Sequence, residues 1–376
     1  MRERAIFGAR HESFRAVVRT FFESEVAPEY PKWERAGYPP RQFWLRAGEL
    51  GMLGIGVPDR YGGLEGSSFK HSAVITEEAQ RANVALGIRV QTDICMPYFL
   101  HYANDEQKDR WLPDLTAGRS VCALAMSEPG VGSDMKAMAT TAARDGDHYV
   151  VNGAKTFISN GITADLAIVA VKTDPQAGRH GISLLVVDTE TEGFERGRKL
   201  EKVGLRTQDL AELAFTDMVV PAENLLGEEN NGFEYLTNNL AQERLSIGVS
   251  AQAAAAATLE RTIAWAQEHR DAGAQQSVKF ELAGCAAEVA AGQALADGAI
   301  EAHDRAELSV PDAALVKLFC TELQGRVSDR CMQLIGRDAY DRGSDGGRAF
   351  VDARVTRIYG GSSEIMKVII AKDLGL

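Results

Sequence analysis

The sequence predicts a mainly α chain with a central β domain: an N-terminal helical domain, an antiparallel β-barrel or sandwich, and a C-terminal four-helix bundle. Three observations carry this reading. The apolar pattern runs at helical period to about residue 118, at strand period to about 228, and at helical period again to residue 376. The middle block holds many short β-rich runs with no helices between them, which argues against a Rossmann unit. The last block holds four long helical patterns with short links, the signature of a bundle. The expected domains are therefore 1–118, 119–228 and 229–376, within the two or three that this length suggests.

In the first block the helical segments include Phe14–Ser24, Gln42–Leu50, Lys70–Ala82 and Asp105–Leu115, set apart by breaks such as Val57-Pro58 and Tyr61-Gly62-Gly63. The β-rich runs are Val121–Met126, His148–Asn152, Lys155–Ser159, Leu166–Val171, Ile182–Val187 and Glu212–Phe215. Asp145-Gly146 is a hairpin-turn signal ahead of the second run. The bundle helices are expected near 233–269, 277–304, 310–335 and 362–374.

A formal charge of −12 and the lack of any basic stripe argue against a nucleic-acid partner. The stretch Met1–Gly8 has no apolar signal-peptide core, and Val84–Leu100 is interrupted by Arg89, Gln91 and Asp93, so no membrane span is expected. Cys95, Cys122, Cys285, Cys320 and Cys331 show no metal-ligand spacing and suit a reducing cytoplasm. The seven histidines are scattered and form no metal or nucleophile constellation.

Glu243 is the most informative residue. Leu236, Leu240, Ile247 and Ala251 mark an apolar helical stripe, and Glu243 falls on it. Burial of a carboxylate raises its pKa, the tuning a general base needs near neutral pH. The alternative is that Arg244 or a partner helix neutralises it. Ser127-Glu128-Pro129-Gly130-Val131-Gly132-Ser133-Asp134 follows a strand and can approach an anion or planar ring closely, or it is a plain turn. Phe157 and Ser159 share one strand face, as core or as a cofactor platform. Tyr359-Gly360-Gly361-Ser362 leads into the last helix with Ser362 as a plausible N-cap.

Together, Ala125–Asp134, Asn152–Gly161, Lys202–Arg206 with Phe215–Pro221, Gly232-Phe233, Glu243-Arg244 and the Tyr359 loop resemble the acyl-CoA dehydrogenase family over nearly the whole chain. The resemblance implies the fold of that family, FAD as cofactor, and α,β-dehydrogenation of an acyl thioester by loss of a Cα proton to a base and of a β-hydride to flavin N5. It implies flavin-ring contacts from Met126, Ser127 and Ser159, a ring face against Phe157, and Gly132 and Ser133 beside the cofactor or thioester arm. It also implies FAD contacts from Ser362 and Glu364, and a substrate side formed by Arg244, Tyr359 and the N–H of Gly360. Many relatives carry the base in a Tyr-Glu-Gly loop. Position 360 here is glycine, and Glu243-Arg244 matches the smaller long-chain and isovaleryl-like group, whose base lies on the bundle helix.

Two segments depart from the family pattern. The run after Arg270, Asp271–Gln276, is short and lacks a Phe, and Gly336-Arg337-Asp338-Ala339 follows Gln333 where a glycine-rich turn is usual. In the family these elements reach a neighbour's FAD, which assigns Arg270, Gln276, Gln333, Gly336 and Arg337 to that contact. A homotetramer or dimer is implied, with a hetero-oligomer left open. The expected substrate is an acyl-CoA or an acyl carrier protein thioester, and the expected electron acceptor an electron-transferring flavoprotein. A flavin oxygenase or oxidase, or a non-catalytic acyl-thioester-binding partner subunit, are the alternatives.

Overall fold

A computed structural model describes residues 4–341 and 343–376; Met1–Glu3, at the start of the stretch screened for a signal peptide, lie outside the described residues. The first layer is helical: α1 (Ala9–Phe21), α2 (Tyr30–Ala36), α3 (Arg41–Glu49), α4 (Phe69–Arg81), α5 (Met96–Tyr102) and α6 (Asp105–Thr116). Local chemistry sets the ends. Asn104 accepts from the Gln107 N–H while Gln107 accepts from the Asn104 N–H, a reciprocal capping box that starts α6. Helices α2 and α5 escaped the sequence reading. The first is two turns long, and the second is preceded by a π-helical stretch, Val90–Cys95, which breaks the 3.6-residue period.

Seven strands follow: β1 (Cys122–Ala125), β2 (Thr141–Asp145), β3 (His148–Ser159), β4 (Leu166–Lys172), β5 (Ile182–Asp188), β6 (Phe194–Lys199) and β7 (Leu210–Pro221). They form one curled sheet in the order β1-β4-β2-β3-β7-β6, with β5 on β4. Pairing is antiparallel except where β1, and at one residue β2, run parallel to β4. The β2–β3 hairpin turns at Gly146, whose φ of 61° suits glycine. The two runs expected at 148–152 and 155–159 are one irregular strand. Strand β6, with the sequence Phe-Glu-Arg-Gly-Arg-Lys, is too exposed and polar to announce itself.

Leu166–Val171 of β4 is buried throughout, as a strand covered on both faces should be. Ile168 and Ala170 pack with Tyr98 and Phe99 of α5. Ala167 and Val169 pack with Tyr149 and Leu213 inside the sheet.

The last layer holds α7 (Gly232–Glu268), α8 (Arg270–Ala274), α9 (Gln276–Asp304), α10 (Val310–Ile335), α11 (Asp345–Ala353) and α12 (Ser363–Asp373). Helix α7 is buried from Glu243 to Leu259, because α4 packs on it from the first layer and α9 and α10 from its own. Among the described residues no helix is long and apolar enough to cross a membrane, and no cluster could hold a metal ion.

Candidate active site

Glu243 lies in the buried middle of α7 and is 5% exposed. Its only hydrogen-bond partner among the described residues is the Tyr98 hydroxyl of α5, which donates to Oε1 at 3.3 Å. Among the described residues no cation lies within ion-pair distance, so the neutralised-pair alternative has no support there; even adjacent Arg244 keeps its buried Nε without a partner. Burial pushes the Glu243 carboxyl up from an ordinary 4.5 to about 7, against the opposing pulls of the Tyr98 hydroxyl and the Arg244 charge. The stripe itself is rotated from expectation: Asn239 is buried and Leu240 only half-buried.

The loop at 358–362 closes on the same helix. Gly360 has a φ of 63°, and a Cβ there would overlap Cδ1 of Ile247, the residue one turn beyond Glu243. The Lys317 ammonium of α10 donates to the Gly361 carbonyl at 2.6 Å and pins the loop. Burial, then the Arg244 charge, lower that ammonium to about 8. Ser362 caps α12 by accepting from the Ile365 N–H, and Glu364 is exposed in its first turn.

A third group comes from the sheet. Lys155 and Glu128 form a buried ion pair at 2.9 Å, and Lys155 also donates to the Met126 carbonyl. Burial alone would raise the Glu128 carboxyl, but hydrogen bonds from Thr140 and Ala139 and the Lys155 charge take it below the usual range. With Thr156 N–H donating to the Ser127 carbonyl, this pair locks the Met126–Ser127 strand end to β3. Neither Glu128 nor Lys155 was singled out by sequence reasoning, although both stand in the quoted motifs. Beside them Phe157 projects from an irregular turn of β3 with a φ of 58° and is 65% exposed. Ser159 accepts from the Gln208 amide at 3.4 Å, and Gln208 lines one narrow cleft with Tyr359, Arg89 and Ser250. Gly132 and Ser133 are exposed on their loop. Phe157 thus leaves an aromatic face uncovered beside Ser159, a surface of the kind that a planar ring stacks on.

Models of the acyl-CoA dehydrogenase N-terminal, middle and C-terminal domains match residues 8–119, 123–218 and 230–375. The chain belongs to the acyl-CoA dehydrogenase family. It is 40% identical over 377 residues to the mitochondrial long-chain specific acyl-CoA dehydrogenase of Sus scrofa, covering 99% of this chain and 88% of that protein. The crystal structure of an acyl-CoA dehydrogenase from Geobacillus kaustophilus matches with a TM-score of 0.97 at 45% identity, covering 100% of both chains. A glutaryl-CoA dehydrogenase from Mycobacterium smegmatis, solved in complex with FADH2, matches at 0.90 and 27% identity over 98% of this chain and 95% of that one.

Apart from Met126, Ser127, Gly132, Ser133, Phe157 and Ser159 of the β domain and Glu364 at the start of α12, the residues singled out from the sequence of this acyl-CoA dehydrogenase chain fall into two places. Glu243 and Arg244 lie in the middle of α7, and Tyr359, Gly360 and Ser362 lie on the loop that approaches it at Ile247. Arg270, Gln276, Gln333, Gly336 and Arg337 lie instead at the far end of the bundle, where α7 and α10 finish and α9 starts. From Ile247 to Glu268 the helix rises about 30 Å, so one copy does not bring the two groups together. All but Gly336 of the second group are exposed, and Arg337, 96% exposed, has Asp338 at 3.5 Å as its one ion-pair partner among the described residues. Tyr98, which touches Glu243, was missed; its one sequence signal was its place in the long apolar stretch before residue 100.

Proposed function

We propose that this chain is an FAD-dependent dehydrogenase of acyl thioesters that removes the substrate Cα proton with Glu243. The observation that carries the reading is a buried carboxylate, unpaired with any cation among the described residues, one helical turn from the contact with the loop where Gly360 stands in place of an acid. With its carboxyl near 7, Glu243 is ionised and proton-accepting above about neutral pH, and activity falls on the acid side.

Bound FAD supplies the hydride acceptor. Met126, Ser127, Phe157 and Ser159 hold its ring, Gly132 and Ser133 border it, and Ser362 and Glu364 contact it at the start of α12. Gly360 offers its N–H to the thioester carbonyl, where charge builds as the proton leaves. Lys317 keeps that loop in place through the Gly361 carbonyl. Arg244 and Tyr359 wall the substrate side. Arg270, Gln276, Gln333, Gly336 and Arg337 serve the cofactor of a neighbouring copy in a dimer or tetramer, consistent with their distance from Glu243. An acyl-CoA is the substrate, an electron-transferring flavoprotein the acceptor, and the cytoplasm the compartment.

The test is Glu243→Gln. The variant should retain FAD and bind acyl-CoA, while anaerobic bleaching of the flavin slows about 10²–10⁴-fold, the usual effect of losing a general base. Bleaching at the wild-type rate overturns the assignment.

A further inference from the structure

Glu243 has four polar neighbours, on its own helix and on the segment from the π-helical Val90–Cys95 through α5 that packs on it, and one of them is placed to control it. Tyr98 is a fully buried side chain of α5 whose hydroxyl donates to Glu243 Oε1. Asn239, one turn before Glu243 on α7, lies against the same hydroxyl. Its Nδ2 is buried with no partner at hydrogen-bonding geometry. The other neighbours are Arg244 on α7 and the Cys95 thiol at the end of the π-helical stretch that precedes α5.

We infer that Tyr98 is a positioning residue for the base: its hydroxyl aims the Glu243 carboxylate and favours its ionised form, and Asn239 turns that hydroxyl toward the carboxylate. The inference rests on Glu243 being the base. A phenol has one hydrogen to give. The Asn239 amide lies against that hydroxyl with its Nδ2 otherwise unpartnered, so it can give a hydrogen only to the phenol oxygen and leaves the phenol hydrogen to the carboxylate. Burial and the adjacent Glu243 charge hold the Tyr98 phenol well above its ordinary range, so it remains a donor throughout the working pH. Cys95 is likewise kept protonated by burial and adds no competing charge. A hydrogen bond to an ionised acceptor stabilises that form, so removing the hydroxyl makes the base harder to ionise.

The experiment is Tyr98→Phe in the FAD-loaded full chain, which keeps the buried ring. Two readouts are taken: the infrared titration of the Glu243 carboxyl, isolated by difference from Glu243→Gln, and the acid limb of anaerobic flavin reduction by acyl-CoA. Both midpoints should move upward by about one pH unit, with FAD content unchanged. A merely structural role would lower rate or FAD content without moving either midpoint, and unmoved midpoints overturn the inference. If Tyr98→Phe fails to load FAD, Asn239→Leu is read the same way: an upward movement supports the inference and none overturns it. A wild-type reduction rate in Glu243→Gln instead sinks the base assignment, while the infrared midpoint still reports whether Tyr98 controls the carboxyl.

Discussion

A base tuned by burial should destabilise the protein that carries it, and Glu243 lets that cost be measured. Its carboxyl is fully enclosed and rises from an ordinary 4.5 to about 7 on folding. Between those values the folded chain binds a proton that the unfolded chain has released, so stability falls as pH rises through the window and is flat above it. At about 1.4 kcal/mol for each pH unit, the loss is about 3 kcal/mol, to within a factor of two. Glu243→Gln removes the titration and leaves an amide that can still accept from Tyr98. Urea denaturation of both FAD-loaded proteins at pH 4.5 and at pH 8 isolates the effect, because all other titrating groups cancel in the difference. Relative to wild type, the variant should gain about 3 kcal/mol of stability between the two pH values. A difference that does not change with pH would refute the claim that burial holds this carboxyl near neutrality.

Two further outcomes follow from the geometry. Moving the base to the loop, as Glu243→Gly with Gly360→Glu, should recover little activity alone, because a side chain at 360 meets Ile247 and needs a φ near 63°. Adding Ile247→Ala should recover more, and equal activity with and without it in FAD-loaded protein would show that 360 does not face α7. At the bundle end, Arg337→Ala should lose FAD on dilution and Arg337→Lys should retain part of it, since a guanidinium grips phosphate oxygens in pairs. Equal FAD affinities in apo-protein titrations would leave Arg337 a solvated charge beside Asp338.

Much of this protein was legible in its residues alone because the signals are local. Helical period over 233–269 placed Glu243 among buried positions, and α7 follows that range to within a residue at each end. The Asp145-Gly146 hairpin, the bundle helices at 276–304 and 310–335, and the Ser362 cap also depend on a few neighbouring residues. Even so, β2, β6, α2 and α5 were missed, because short or exposed polar strands, a two-turn helix and a π-helical start carry no clean period.

Tertiary structure decided what surrounds those positions. Tyr98 reaches Glu243 across 145 residues of chain, Glu128 and Lys155 pair across 27, and Gly360 presses on Ile247 from the last loop. Period indicates which face of a helix is buried but not which element buries it. The 5% exposure of Glu243 is set by the packing of α4, α5, α9 and α10 around α7, and desolvation by that packing, rather than any residue beside it in sequence, is what lifts its carboxyl toward neutrality.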